Sequence, residues 1–290
     1  MNNEQAPWQR LGSSLKLGLR ACSESDWLPY DDLFGDGLAR ARQLSLKQQL
    51  SAERHSDVFA AVPDTQAAGQ EVLEMVCTHL ATHHKTPAGD PDISAHPLDA
   101  AARLVPEDLL LLAPQERITD AQGGDYGWHL VAASLCFPAH WVLADKMTKP
   151  LTDIHAPVPH YQDRLAAPMD RFFTHMQVGP ISARMNWSLQ FGDTLYTPHR
   201  SAHIPAGTVK AYEHLYARME HQTLRKLPQT GHILFTIRTH IVPVLHWKET
   251  PNAIRDLLAL MDGMSAETRA YKGVDLYRDA LQHCLVSVLI

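Results

Sequence analysis

Apolar residues in the first hundred positions recur every three or four residues, which is the period of an amphipathic helix. The pattern is clearest over residues 36–50 and again over 64–84. A stretch rich in Pro, Gly and Asp at 86–97 predicts a loop. We therefore expect residues 1–100 to form a helical extension that packs on a larger domain.

A strand pattern replaces the helical one beyond this loop. Short apolar runs at 109–112 and 127–138 lie on either side of a Gly/Asp turn and predict a β-hairpin. Helical spacing returns over 139–179, and 183–191 is a candidate for a further strand. Amphipathic helices are expected again over 252–264 and 274–290.

The strongest strand pattern covers residues 214–244, where two long runs flank a Pro/Gly turn. A four-residue loop at 228–231 would pair Leu227 with His232, so that the numbers of opposed residues sum to 459. In that register, alternate polar residues of the first run point to the same side as apolar residues of the second. These are Arg218, Glu220 and Gln222 in the first run, and Phe235, Ile237 and Ile241 in the second.

The order of these elements, a hairpin, then helices, then further antiparallel strands, is typical of an α+β fold. We expect an antiparallel sheet in a domain over 101–250, with the helices of that region on one face. Residues 1–100 form the N-terminal helical extension, and the helices over 251–290 pack on the same domain.

Composition excludes several classes of function. The chain has 290 residues, 45% of them hydrophobic and 20% charged, which is enough for a core of its own. A formal charge of −6, with no basic cluster among aromatic residues, argues against nucleic acid as a partner. The sequence has no signal-peptide pattern and no run of roughly 18 apolar residues, so we predict a cytoplasmic protein without a membrane segment.

Motifs of several common chemistries are missing. There is no GxGxxG after a strand, no Walker loop and no GxSxG elbow, so we expect neither a flavin or nicotinamide site nor covalent hydrolase chemistry. The four cysteines are widely scattered, which disfavours a metal knuckle and a disulfide framework. Eighteen histidines are many for this length and are a first indication of metal or heme chemistry.

One histidine, His155, lies in a backbone stiffened by its neighbours. Pro157 and Pro159 follow it, and their rings fix φ and remove backbone donors. Such a loop can hold a neutral imidazole in a fixed direction, as a heme iron requires. A core histidine that only caps a loop fits the same residues. Cys136, as a thiolate, is the rival axial ligand, although a small buried thiol on a strand is the simpler interpretation.

Four blocks of the sequence together resemble the heme-binding subunit of bacterial heme-dependent oxidative N-demethylases. They are IHAPVP (154–159), RMNW (184–187), RMEHQTLRKLP (218–228) and LFTIRTHIVPV (234–244). The resemblance covers about 105–250 and departs at His221, where the family leads us to expect arginine. It implies a PAS-like domain, in which a five-stranded antiparallel sheet holds heme b between its inner face and the helices.

Within such a domain, the predicted register and the chemistry of the residues themselves suggest individual roles. His155 would ligate the iron, and Arg184 and Arg218 would pair with the heme propionates, because a guanidinium matches a carboxylate. Ion pairs that only orient the sheet explain the two arginines equally well. Glu220 would bind a protonated secondary amine, or would only neutralise Arg218. Its aromatic neighbours at the substrate would be Trp187 and Tyr196.

The implied activity is oxidative N-demethylation of a small dimethylamine-like amine by dioxygen, a monooxygenase reaction that releases formaldehyde. Electrons would come from a separate reductase subunit with flavin and an iron–sulfur centre, and a tetrahydrofolate-using subunit would accept the formaldehyde. A PAS-type heme sensor of oxygen or redox state is the alternative from another class, although no sustained heptads or kinase signature accompany the domain. An α+β protein without a cofactor is the third possibility.

Overall fold

The structure of the protein is a computed structural model that describes residues 5–12, 17–30, 39–84, 92, 94–117, 125–199 and 210–288. Its strands are β1 (Arg20–Cys22), β2 (Phe59–Ala61), β3 (Asp108–Arg117), β4 (Asp125–Ser134), β5 (Ile181–Phe191), β6 (Leu215–Lys226) and β7 (Ile233–Pro243). They form one antiparallel sheet in the order β1-β5-β6-β7-β3-β4-β2. The fold is therefore α+β, as predicted.

Helices flank this sheet, and most of those in the described ranges belong to the two terminal segments. Those before the β3–β4 hairpin are α1 (Pro7–Leu11), α2 (Ala39–Glu53), α3 (His55–Val58), α4 (Gln66–His79) and α5 (Pro97–Ala102). The later ones are α6 (Leu151–Ile154), α7 (Ala167–Thr174), α8 (Ala253–Asp262), α9 (Ala266–Lys272) and α10 (Asp275–Val288). Because β1 and β2 join the sheet from the first hundred residues, the sheet crosses the boundary predicted at residue 100.

The register predicted for the β6–β7 hairpin is confirmed. Arg218 opposes Ile241 and Glu220 opposes Thr239, and each pair of residue numbers sums to 459. At the turn, the Leu227 amide donates to the His232 carbonyl over 2.8 Å. The last loop residue, Gly231, has a φ of 71°, a left-handed conformation that favours glycine.

We call the sheet face that carries Arg184, Glu220 and Ile237 the inner face, and the opposite face the outer face. The segment between β4 and β5, residues 135–180, covers part of the inner face. There Ile154 of α6 and Phe173 of α7 pack in one apolar cluster with side chains of β3 and β4. The helices that follow the hairpin therefore lie on one face, as predicted.

The terminal segments cover the outer face in two apolar clusters. Trp8 of α1 packs there with α8 and α10 over strands β5, β6 and β7. Helices α4 and α5 pack on strands β3, β4 and β7. Burial of this face explains why the N-terminal and C-terminal helices carry apolar residues at helical spacing.

A buried ion pair joins α2 to the start of β3. Lys47 is only 1% exposed, and its Nζ lies 3.8 Å from Oδ1 of the fully buried Asp108. Asp108 also accepts hydrogen bonds from the amides of Cys136 (2.8 Å) and Phe137 (3.0 Å), just after β4. The ammonium of Lys47 further donates to three backbone carbonyls, those of Ala102, Val105 and Glu107.

In the described ranges, none of the helices combines the length and the apolar character that crossing a membrane requires.

Candidate functional site

Part of the inner face remains partly exposed in the middle of the sheet. Ile237 and Ile241 are on β7, the central strand, yet neither is fully buried. Arg184, on β5, and Glu220, on β6, are partly exposed as well. Apolar side chains on a central strand are ordinarily covered. This part of the inner face, apolar on β7 and polar on β5 and β6, is therefore the place to look for a ligand.

His155 lies immediately after α6, in the segment that faces this surface. Its Nδ1 is 2.8 Å from the Leu151 carbonyl, which requires the proton of the neutral ring to be on Nδ1. The ring stacks on Tyr161 with centroids 4.6 Å apart and planes at 10°. Burial lowers the pKa of His155 below 6.5, and the nearby cations Arg184 and Lys146 lower it further. A neutral imidazole with an unprotonated Nε2 results, which is the form that ligates a metal.

The hydrogen bond of His155 is a local feature of a helix end, because His175 makes the same bond after another helix. His175 follows α7, has the same φ of −96°, and its Nδ1 lies 2.8 Å from the Arg171 carbonyl. His175 is exposed, however, and its partners belong to its own helix. The interpretation of His155 as a loop cap is therefore correct for Nδ1. It does not account for the stacking on Tyr161 or the proximity of Arg184.

Glu220 lies among donors and cations on the inner face. Its carboxylate is 14% exposed and accepts from Gln222 Nε2 at 2.9 Å and from Arg218 Nε at 3.4 Å. Its charge also acts on Arg184 and on Lys272 of α9, and burial lowers the pKa of both cations. Arg218 contacts this carboxylate, and the charge of Glu220 acts on Arg184 and Lys272, although the Lys272 ammonium also lies 5.2 Å from the ring centre of Trp187. Among these four described side chains, positive charges outnumber the carboxylate, which suits anionic groups.

Arg184 and Arg218 differ in how far they are already engaged. Arg218 is 1% exposed, and its guanidinium donates to the Phe137 carbonyl and, over 3.3 Å, to the Leu195 carbonyl. Arg184 makes no hydrogen bond within the described part of the chain. Of the two, Arg184 is the guanidinium available to a ligand, whereas Arg218 holds the chain after β4 against the sheet.

Trp187 does not lie where the sequence analysis placed it. It opposes Met219 on β6, so its side chain points to the outer face, away from Glu220. There its ring packs on Trp8 at 5.9 Å, and its Nε1 donates to the Gly12 carbonyl over 3.2 Å. The prediction that Trp187 flanks Glu220 at the substrate is therefore wrong.

Tyr196 belongs to a small apolar cluster with Leu50, Val58 and Phe137. The Arg54 guanidinium lies 5.8 Å from the centre of its ring. A role for Tyr196 at the substrate remains a prediction.

Cys136 lies in the same apolar cluster and is 1% exposed. Burial raises the pKa of its thiol to about 12. A thiolate is therefore disfavoured at this position, which argues against Cys136 as an axial ligand. Among the residues with described positions, no three His, Cys, Asp or Glu side chains converge on a possible metal site. An iron held by a porphyrin needs only one such donor.

Two residues of the site were not predicted from the sequence. Tyr161, 4% exposed, is the platform under His155, and it lies two residues beyond the second proline. Lys272 comes from α9, a helix that the hydrophobic pattern did not predict. Neither residue has a local sequence signal, because each reaches the site through tertiary packing.

An α+β protein with a neutral imidazole beside uncompensated cations has the chemistry of a site for an anionic metallocofactor. Residues 82–282 match the family described as haem-dependent oxidative N-demethylase, alpha subunit-like. The match covers most of the chain and includes every residue of the site described above. The chain belongs to this family, whose description indicates heme dependence and likeness to an oxidative demethylase subunit. The suspected resemblance is confirmed at this level.

Proposed function

We propose that this chain binds heme b against the inner face of a PAS-like domain and catalyses oxidative N-demethylation of a small secondary amine such as dimethylamine. The observation that carries the proposal is His155, which is held neutral with Nε2 unprotonated beside a surface of net positive charge. Family membership supplies the reaction class. The amine, the use of dioxygen and the cytoplasmic location are part of the proposal.

The described side chains fit a heme group in three respects. A heme needs one protein nitrogen for the iron, and Nε2 of His155 would supply it. Its porphyrin needs apolar contacts, which Ile237 and Ile241 would offer. Its two propionates need cations, and Arg184 and Lys272 match them in number.

When bound, heme supplies the activation of dioxygen for this oxidation. Overall, an N-methyl group, one dioxygen, two electrons and two protons give a carbinolamine and water. The carbinolamine then breaks its C–N bond and releases formaldehyde and the demethylated amine. The electrons would come from a separate reductase subunit with flavin and an iron–sulfur centre, and formaldehyde would pass to a tetrahydrofolate-using subunit.

The chain's own residues would position the heme and neutralise its propionates. The Leu151 carbonyl fixes the tautomer of His155, and Tyr161 fixes the plane of its ring. Glu220 would orient Arg184 and Lys272 toward the propionates. Because Glu220 already contacts Arg218 and its charge acts on Arg184 and Lys272, it is poorly placed to serve as the counter-ion of an ammonium substrate.

The proposal is tested with the purified chain and a heme-loaded sample. We expect a Soret band and, with a flavin/iron–sulfur reductase and dimethylamine, one formaldehyde per nicotinamide cofactor oxidised. The chain alone should not oxidise the nicotinamide cofactor. A Soret band without turnover in the presence of the reductase would instead indicate a heme sensor, and no heme binding would contradict both interpretations.

Replacing Glu220 by Gln is expected to leave amine affinity within about 3-fold of wild type, since a structural partner of cations adds little to substrate binding. The apoprotein should lose thermal stability, because Arg184 and Lys272 lose their carboxylate. Heme should restore much of that stability through its propionates. Amine titration of the heme spectrum and melting curves with and without heme measure both effects.

The exposed Glu249→Gln variant is the control for the loss of one negative charge. If Glu220→Gln weakens amine binding by more than about 10-fold, which corresponds to 1.4 kcal/mol, the carboxylate is a substrate ligand after all.

Replacing Arg184 by Met, or Lys272 by Met, is expected to weaken heme binding by roughly 10- to 100-fold each, the usual worth of a charge-assisted hydrogen bond. Arg269→Met is the matched control for Lys272, because Arg269 lies on the same helix but pairs with Asp275 at the surface. Heme transfer to apomyoglobin, followed at the Soret band, measures the difference. Equal transfer rates in all the variants would remove both cations from the heme site.

A further inference from the structure

A second group of buried charges lies on the outer face, on the opposite side of the sheet from His155. Arg238 of β7 and Glu107, just before β3, are each 1% exposed, and Nη1 of Arg238 is 3.7 Å from Oε1 of Glu107. That separation is too long for a hydrogen bond. All three guanidinium nitrogens of Arg238 and both carboxylate oxygens of Glu107 lack a hydrogen-bond partner anywhere in the described chain.

This arrangement is unusual for a protein interior, because its buried charged groups have no hydrogen-bond partners in the described chain. Each buried polar group without a partner costs roughly as much as a lost hydrogen bond, and charged groups cost more. An ordinary buried Arg–Glu pair avoids this cost by direct contact at about 2.7–2.9 Å. The pair therefore needs a third component with both acceptor and donor atoms between or beside the two side chains.

Arg40 of α2 adds a second positive charge to the same place. Burial lowers the pKa of Arg40, Glu107 raises it and Arg238 lowers it, so the charges of both residues act on this guanidinium, whose central carbon lies 5.2 Å from the centre of the Tyr30 ring. Its Nη1 is buried and also lacks a partner in the described part of the chain. Burial lowers the pKa of His221, which opposes Arg238 on β6, so that imidazole adds no charge at neutral pH. Among the described side chains Arg238, Arg40 and Glu107, two guanidiniums and one carboxylate leave one positive charge.

A cleft of about 230 Å³ ends beside this group. It lies along β1 and β5, is lined by Arg20, Asp26, Arg184 and Met185 among others, and reaches His221. His221 is paired directly with Arg238 across the β6–β7 ladder. The cleft therefore ends one strand away from Arg238, which is buried and does not line it.

We propose that Arg238, Arg40 and Glu107 form a binding site for a small monovalent oxyanion of the carboxylate class, such as formate. The planar fork of Arg238 matches the two oxygens of a carboxylate. The anion would cancel the remaining positive charge, and its water of hydration would donate to Glu107. This site is separate from the heme site and does not depend on the proposed function.

Thermal melting of the purified full chain, without added heme, in sodium formate tests the inference. Sodium gluconate, whose anion is too large, replaces formate stepwise so that ionic strength is constant. We expect the wild-type Tm to rise by a few °C and to saturate, as binding to the folded state alone requires. Arg238→Met should abolish the dependence on formate.

Glu107→Gln should instead strengthen formate binding, because it removes the competing negative charge. The formate concentration at half-saturation should fall by about 10-fold or more. This variant keeps the test decisive if Arg238→Met folds poorly. Arg184→Met is the control for formate at the inner face, and Arg278→Gln is the control for an exposed arginine.

Three results would overturn the inference. The first is a wild-type Tm that does not depend on formate, which would mean that water alone fills the site. The second is a formate dependence that disappears in Arg184→Met but persists in Arg238→Met. The third is a half-saturation point that Glu107→Gln leaves unchanged.

Discussion

Replacing His155 by Ala is expected to remove heme from the protein while leaving the fold intact. Even residues that only orient a metal ligand are worth roughly 10- to 100-fold in affinity, so the loss of the ligand itself should exceed that. His155 is partly exposed and its side chain hydrogen-bonds to a local carbonyl, so the stability cost should be small. Heme content per chain and the Soret maximum measure the effect.

His175→Ala is a closely matched control for this variant. It removes the same Nδ1 hydrogen bond at the end of a helix, over the same 2.8 Å, from an imidazole that does not face the site. Any loss common to both variants belongs to helix capping, and a loss confined to His155→Ala belongs to ligation. Full heme content and an unchanged spectrum in His155→Ala would show that another residue holds the iron.

Because of the pKa of His155, heme binding and apoprotein stability should both depend on pH. Its folded-state pKa is lowered from 6.5, so protonation of Nε2 competes with iron only at more acidic pH. The same shift means that unfolding takes up a proton, so this residue's contribution to apoprotein stability is present above pH 6.5 and is lost as pH falls below it. Heme release during an acid titration should accordingly begin below pH 6.5.

Replacing Lys47 by Met is expected to cost about 3–5 kcal/mol of unfolding free energy, the usual cost of removing one partner of a buried ion pair. Burial already raises the pKa of Asp108 to about 6, against the opposing attraction of Lys47. Without Lys47, Asp108 must either remain charged without compensation or bind a proton. Three backbone carbonyls lose their donor as well. Urea unfolding curves measure the loss.

A double-mutant cycle separates the energy of the ion pair from that of the other contacts made by Lys47 and Asp108. Asp108→Asn alone should also destabilise, because its carboxylate holds the amides of Cys136 and Phe137. The double variant should be more stable than the sum of the two losses predicts, by roughly 1–3 kcal/mol. Lys248→Met, at an exposed pair, should change stability by less than about 0.5 kcal/mol. Strict additivity would show that the two charges do not interact.

This ion pair connects the N-terminal extension to the inner face. Asp108 fixes the backbone at Phe137, and the Phe137 carbonyl accepts from Arg218, which in turn contacts Glu220. A destabilised Lys47 variant should therefore retain heme less well than its remaining stability alone would suggest. The extension is thus part of what shapes the proposed heme site.

Some features of this protein are determined by local sequence. The β6–β7 register follows from a four-residue loop and the alternation of the two strands, because residues that are close in sequence pay little entropy to meet. The cap of His155 is equally local, since its partner Leu151 is four residues away. The motif blocks were also sufficient to identify the family.

Other features depended on contacts between distant segments. Trp187 was expected beside Glu220 but lies on the other face of the sheet, because the pairing of β5 with β6 spans a long connection and no nearby turn sets its register. Lys272 and the pair of Arg238 with Glu107 have no sequence signal, because their partners come from other elements of the chain. The long strands, the β6–β7 hairpin and the candidate ligand could be predicted from local sequence alone. Which charges surround that ligand was decided only by the tertiary structure, since electrostatic partners are selected by distance in space.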